Sequence, residues 1–379
     1  MKILTNKQLD SNIIDWPVYM HRALELACNV INTSPNPRVG CVLLNGGKIV
    51  GEGWHIAPGQ AHAEVMALEN AGASAEAAIA FVTLEPCSHT GRTGPCADAL
   101  IQANISQLVI AGIDPNPLVS GSGIEKLEAA GVEVTHLVDF EQSAREINPG
   151  FFKVKQSGMP YVRCKMAMSL DGRTALANGE SKWISSELAR NDVQKLRAGS
   201  SAVLTGIETV LADNPSLNVR GAESDTDILK QQPLRVILDS KLRTPENANI
   251  LTVDGSVKIY TAGQTDGLQN PASNVEILQA KDSTSRVNLR SVLESLASDF
   301  DCNEILLEAG ATLSGAFLKE QLIDELHLYI APKLLGSDAR ALIDMTGLQS
   351  MSETIDFEIV DLIKIGSDIR LILKPNYTL

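Results

Sequence analysis

His62-Ala63-Glu64, followed by Thr83-Leu84-Glu85-Pro86-Cys87-Ser88-His89-Thr90-Gly91-Arg92-Thr93-Gly94-Pro95-Cys96, governs the reading of the whole chain. One imidazole and two thiolates fill three corners of a tetrahedral metal site and leave the fourth for water, as catalytic zinc requires. Glu64 stands two residues from His62 and is not needed as a ligand. A carboxylate placed there can carry a proton from attacking water to a departing amine. The common signature has two residues between its cysteines, whereas eight separate Cys87 from Cys96. The pattern therefore points to metal-assisted amine hydrolysis in an unusual spacing variant.

Working outward, Asp15 to Ile31 predicts an amphipathic helix, with Met20, Leu24, Ala27 and Ile31 at helical spacing. Val39–Leu44 and Lys48–Gly53 flank Asn45-Gly46-Gly47, a hairpin signal. Ala61–Ala71, Cys96–Ala103 and Gly121–Ala130 predict helices, and Ala80–Leu84, Gln107–Gly112 and Val132–His136 predict strands. The order αββαβαβαβ is that of a layered α/β sheet. His62 opens one helix, while Cys87 and Cys96 flank the entry to another. Partial positive charge at helix N-termini favours thiolate over thiol, so the ligands are biased toward deprotonation.

A structural zinc completed by His55 or His89 is the competing account, since structural sites normally use four protein ligands. Gly121-Ser122-Gly123 lacks the third glycine and the preceding strand of a dinucleotide fingerprint, and reads as helix entry. The 379 residues carry a net charge of −14, with 8 Lys+Arg against 16 Asp+Glu in residues 1–150 and 24 against 30 in the rest. Neither half has the basic footprint of nucleic-acid binding, so the expected substrate is a small molecule. Without a signal-like or membrane-length apolar run, a cytoplasmic protein with no membrane partner is expected. Six cysteines do not make a disulfide framework. Cys28, Cys41, Cys164 and Cys302 sit in apolar stretches and read as core residues.

Asn148–Met159, with two glycines and a proline, is the expected linker between a domain at 1–150 and another at 151–379. Strands are predicted at Tyr161–Met168, Ala202–Thr205, Leu234–Asp239, Val257–Thr261, Glu304–Glu308 and Glu325–Ile330, with surface loops at Gly221–Gln232 and Thr261–Ser273. Lys165, Asp171-Gly172-Arg173, Arg197, Asp213, Arg220 and Glu308 lie in turn-like settings, where the ordinary reading is solvated charge. Glu308-Ala309-Gly310-Ala311-Thr312-Leu313 is more informative, because a small-residue turn opening a helix lets phosphate reach backbone N–H groups.

The motif segments above, with Ser34-Pro35-Asn36-Pro37-Arg38-Val39-Gly40, Asp114-Pro115-Asn116-Pro117, Gly179–Ile184, Thr209–Arg220, Glu308–Ala316 and Asp324–Gly336, closely resemble the bifunctional deaminase–reductases of riboflavin biosynthesis. The long cysteine spacing is that family's own. The resemblance implies a cytidine-deaminase-like three-layer α/β domain followed by a dihydrofolate-reductase-like α/β domain. It implies deamination of 2,5-diamino-6-(5-phosphoribosylamino)pyrimidin-4(3H)-one and then NADPH-dependent reduction of ribosyl to ribityl. Carried over by motif, His62, Cys87 and Cys96 hold zinc, Glu64 shuttles the proton, and Asn36, His55 and His89 line the pyrimidine pocket. Ser181, Arg197, Leu217, Arg220 and Glu308 match substrate positions. Ala167, Trp183, Thr209, Asp213 and the turn Gly310, Ala311, Thr312, Leu313, Ser314, Gly315 and Ala316 match cofactor positions. Lys165 matches a group acting beside the ribose carbon. Gly94 and Ala311 depart from the family's usual residues without removing a chemical group. A monofunctional deaminase with a non-catalytic second half, or a non-catalytic zinc protein, are the alternatives. A homo-oligomer, dimer or tetramer, is expected, with Asp324–Leu335 as a dimer edge.

Overall fold

The computed structural model describes residues 1–8, 15–88, 94–116, 120–221, 232–265 and 272–377. His89, Pro117, most of the Gly221–Gln232 loop and part of the Thr261–Ser273 loop lie outside the described residues. The chain forms two compact units, Met1–Gly158 and Met159–Leu379.

In the first unit, a six-stranded sheet runs in the order β1 (Lys2–Leu4), β6 (Glu133–Leu137), β5 (Gln107–Ile110), β4 (Ile79–Val82), β2 (Gly40–Asn45), β3 (Lys48–Trp54). The first four are parallel, and β2 pairs antiparallel with both β4 and β3. Helix α1 (Trp16–Ala27) buries Met20, Ala23, Leu24 and Ala27, the stripe expected from the spacing. It stops short of Ile31 because Asn32 accepts from the Ser34 amide and starts the turn to Asn36. Helix α2 (Ala63–Ala71) lies directly on β3, and a Cβ at Gly53 would stand 2.3 Å from the Ala63 carbonyl oxygen. That close approach fixes the helix start that carries His62 and Glu64. Helices α3 (Cys96–Gln102) and α4 (Ser122–Ala129) follow on the expected residues. Strand β1 was not expected; three residues leave no period to read.

Pro149–Ser157 is a helix, where the sequence suggested a linker. Its proline stands at the helix start, its glycine Gly158 takes the left-handed conformation just past the end, and Phe151 and Phe152 are buried. These residues punctuate a helix rather than loosen a chain.

In the second unit, nine strands run β12 (Val275–Gln279), β11 (Val257–Thr261), β10 (Leu234–Leu238), β9 (Ala202–Gly206), β13 (Glu304–Leu307), β7 (Tyr161–Ser169), β14 (Glu325–Ala331), β17 (Asp368–Asn376), β16 (Asp356–Ile365). The seven from β12 to β14 are parallel and the last two antiparallel. Strand β7 alternates: Val162, Cys164 and Met166 enter the main core, while Tyr161, Arg163, Lys165 and Ala167 take the other face. Buried parallel strands read as apolar runs, which is why six of these seven were visible in the sequence; β12, buried only at Val275, was not expected.

Asp324–Leu335 is not an edge. β14 pairs with β7 on one side and β17 on the other, and its burial explains its apolar character. The edges of this sheet are β12 and β16, and β16 carries Ile359, Val360, Leu362 and Ile363 exposed. The paired short strands β8 (Arg173–Ala175) and β15 (Arg340–Ala341) also went unread.

Candidate functional site

His62 is the N-cap of α2, and Glu64, in its first turn, is buried. Cys96 opens α3 behind Pro95. His62 Nδ1 lies 3.1 Å from Cys96 Sγ and 3.6 Å from Cys87 Sγ, and the three ligand atoms lie within 4.8 Å of one another. The Cys96 amide donates to Cys87 Sγ at 3.3 Å. A hydrogen bond from Cys96, and a second from His62, hold the Cys87 thiol well below the usual thiol range. Burial, helped by the nearby Cys87 sulfur, pushes the Glu64 carboxyl up to about 7. One nitrogen and two soft sulfurs converging beside a buried carboxylate are a donor set that fits zinc.

His55 is buried, and its ring meets that of His62 edge-on with centroids 5.1 Å apart. Its Nδ1 faces the Ala61 carbonyl at 3.1 Å, so that nitrogen carries the hydrogen and Nε2 accepts from the Asn36 amide at 3.0 Å. Burial lowers the pKa of His55. The neutral ring thus fixes which way the Asn36 amide faces. Asn148 was passed over as linker, yet its buried amide pairs with the Arg38 backbone, accepting from N–H at 2.7 Å and donating to C=O at 2.9 Å. This holds the Asn36 loop from a point 110 residues away. A lone Asn-Pro gives no sequence signal for such a role.

In the second unit, Arg197, in the last turn of helix α7 (Glu187–Ala198), is buried and grips Glu308 with Nε at 2.5 Å and Nη2 at 2.9 Å. Its Nη1 donates to the Asn218 carbonyl at 3.0 Å. Burial alone would raise the Glu308 carboxyl, but Arg197, Lys165 and Arg220 hold it below its ordinary value. Burial lowers the pKa of Lys165, with Glu308 and Asp213 opposing and Arg197 assisting. Lys165, Arg197, Asp213, Arg220 and Glu308 are therefore one electrostatic cluster. Arg220 is exposed, while Leu217 is buried in a left-handed turn, φ 50°.

Asp213 ends helix α8 (Ile207–Asp213), which also carries Thr209. Trp183 is exposed, with the Arg190 guanidinium 4.5 Å above its ring and its carbonyl accepting from Lys333. Ser181 precedes it, its carbonyl accepting from the Ile184 amide. Ala167 packs beside Ala189, Val193 and Tyr329. Gly310 caps the helix Ala311–Lys319, and nothing stands within 4 Å of where its Cβ would be. Ala311, Thr312, Leu313 and Ala316 are at least partly accessible there, whereas Ser314 and Gly315 are buried, a Cβ at Gly315 meeting the Asp344 carbonyl oxygen at 2.3 Å. An open helix start at the carboxyl ends of parallel strands suits a nucleotide phosphate. Thr205 Oγ1, buried on β9, has no hydrogen-bond partner among the described residues.

Two family models match. Residues 16–112 match the cytidine and deoxycytidylate deaminase zinc-binding region, and residues 160–371 match the RibD C-terminal domain. The riboflavin biosynthesis protein RibD of Escherichia coli is 45% identical over 361 residues, covering 93% of this chain and 97% of that one. The chain belongs to the RibD family. The Haemophilus influenzae RibD is 44% identical over 367 residues, covering 95% of this chain and 97% of its own. An Acinetobacter baumannii RibD structure superimposes with TM-score 0.87 at 45% identity, covering 95% of this chain and 98% of that one. The structure of the diaminohydroxyphosphoribosylaminopyrimidine deaminase/5-amino-6-(5-phosphoribosylamino)uracil reductase of Thermotoga maritima gives TM-score 0.83 at 32% identity, covering 95% of this chain and 99% of that one. This RibD-family chain is a bifunctional deaminase and reductase of riboflavin biosynthesis, using zinc and NADPH. Among the described residues, no helix is long and apolar enough to cross a membrane.

Proposed function

We propose that residues 1–150 hydrolyse the 2-amino group of 2,5-diamino-6-(5-phosphoribosylamino)pyrimidin-4(3H)-one, giving 5-amino-6-(5-phosphoribosylamino)uracil and ammonia, and that residues 151–379 then reduce its ribosyl group to ribityl. The convergence of His62, Cys87 and Cys96 beside buried Glu64 carries the first half of this reading. His62, Cys87 and Cys96 hold the metal, and zinc when bound supplies an activated water at near-neutral pH. Glu64 takes a proton from the water and returns it to the leaving amine. Asn36, oriented by His55, faces the pyrimidine.

For reduction, NADPH when bound would supply the hydride that C1′ of the ribose takes up. Lys165 would give the proton that the ribose ring oxygen needs when its bond to C1′ is broken, leaving that oxygen as a hydroxyl. Ala167, Trp183, Thr209, Asp213 and Gly310–Ala316 hold the cofactor. Ser181, Arg197, Leu217, Arg220 and Glu308 hold the substrate. Because Arg197 is already committed to Glu308, the exposed Arg220 is the arginine better placed for the phosphate.

We place the protein in the cytoplasm, where six unbonded cysteines stay reduced, and propose a homo-oligomer, dimer or tetramer. The exposed apolar residues of edge strand β16 support self-association. Incubation with the diaminopyrimidine, with and without NADPH, tests the function by product mass. The deaminated product alone is expected without NADPH, and the ribityl product with it. An unchanged diaminopyrimidine under both conditions would refute the reading.

A further inference from the structure

Glu85 stands two residues before Cys87, is 4% exposed, and spends its carboxylate on backbone N–H groups from a distant part of the first unit. One oxygen accepts from Gly123 at 3.1 Å and Ile124 at 3.5 Å. The other accepts from Gly121 at 3.0 Å and Asp114 at 3.3 Å. Helix α4 begins with Gly121 at its N-cap and has no side-chain cap of its own there, so Glu85 supplies the cap from 36 to 39 residues away. Orphan N–H groups at a helix start favour an anionic acceptor.

Two further contacts clamp the same helix start to the residues around Cys87. A Cβ at Gly123 would stand 2.1 Å from the Pro86 carbonyl oxygen, so only glycine permits this approach. Ser88 Oγ and Ser122 Oγ share a hydrogen bond at 2.6 Å. Glu85, Pro86 and Ser88 are therefore each fixed to the first turn of α4, with Cys87 between them. On the other side, the Cys87 carbonyl accepts from the Ala97 amide at 3.1 Å, at the start of α3. The Cys87 backbone is held between two helix starts.

We propose that Glu85 is the positioning residue of the metal centre: by capping α4 it sets the backbone from which Cys87 presents its sulfur. This rests on the assignment of His62, Cys87 and Cys96 as zinc ligands. A glutamine at 85 keeps the shape but turns one acceptor into an NH₂ donor facing N–H donors, so the clamp loses one of its two legs. A shorter aspartate keeps both acceptors but withdraws them.

The test uses the full-length zinc-loaded chain and its Glu85→Gln variant. Zinc release to a chromogenic chelator and the thiolate-to-metal absorption of the cobalt(II)-substituted protein are measured. Residues that support metal ligands typically change metal affinity about 10- to 100-fold. Glu85→Gln is expected to release zinc at least about tenfold faster, with an altered cobalt(II) band and reductase turnover within about twofold of the parent. A merely structural residue would lower thermal stability and leave the cobalt(II) band where it was, which would overturn the proposal. If Glu85→Gln is insoluble, Glu85→Asp is measured with the same expectation, and insolubility of both would make Glu85 a folding residue and likewise overturn it. Failure of the parent chain to bind zinc would instead refute the ligand assignment itself.

Discussion

Glu64 and Lys165 show how burial prepares ionisable side chains for proton transfer. Glu64→Gln keeps the size of the side chain and leaves His62, Cys87 and Cys96 untouched, but an amide cannot accept the water's proton. Deamination should fall by about 10²-fold or more, with one zinc per chain retained by metal analysis. Zinc lost together with activity would recast Glu64 as a ligand. In the proposed reduction Lys165 acts as an acid, so its contribution is present below its pKa and lost as pH rises through it. Burial lowers that pKa and Glu308 opposes the lowering. The basic limb of the reductase kcat profile should therefore lie below the ordinary lysine range, and Glu308→Gln should move it to still lower pH. A limb unmoved by Glu308→Gln would take Lys165 out of the acid role. Both residues were legible in the sequence by motif. The residues that hold the surrounding loops of the first unit were less so, since Asn148 and Glu85 act through backbone groups 110 and up to 39 residues away and carry no local pattern.

At the scale of elements, six of the seven parallel strands of the second unit could be read because burial leaves runs such as Val257–Thr261 almost free of charge, whereas β12, buried only at Val275, gave no such run. β16 and β17 intersperse Asp356, Glu358, Asp361, Lys364 and Arg370 among apolar residues, because both strands lie toward the sheet edge with much of their surface exposed. That mixture hid them, and the apolar character of β14 was taken for an interface instead. Helix α7 and the loop ending at Arg220 separate two kinds of arginine. Arg197 is buried with Glu308, and removing one partner of a buried ion pair typically costs about 3–5 kcal/mol. Arg197→Ala should therefore lower the denaturant midpoint of the second unit markedly. Arg220→Ala should leave that midpoint in place and raise the KM for the phosphorylated substrate about tenfold or more, the worth of a hydrogen bond to a charged group. kcat should change little, because a remote phosphate contact binds ground and transition state alike. Equal use of phosphorylated and dephosphorylated substrate by the parent enzyme would remove the phosphate role.

For the whole molecule, each unit carries its own hydrophobic core. One is built around Leu43, Val82, Leu100 and Ile110, and another around Val162, Leu204, Leu293 and Phe317. The metal ligands all come from the first, and the Lys165–Arg197–Glu308 cluster comes entirely from the second. Among the described residues, no side chain of the candidate metal site belongs to the Lys165 cluster, so the two activities are expected to respond separately to substitution. Cys87→Ser exchanges a thiolate ligand for a hydroxyl that binds zinc poorly, and it leaves Lys165 and its partners as they are. Deamination should be lost while NADPH oxidation continues at the parental rate when the deaminated pyrimidine is supplied. The decisive measurement is the pair of rates on one soluble preparation, with circular dichroism showing the fold retained. Loss of reduction in a folded Cys87→Ser protein would mean that the zinc site supports the reductase, and the two-site description would have to give way to a coupled one.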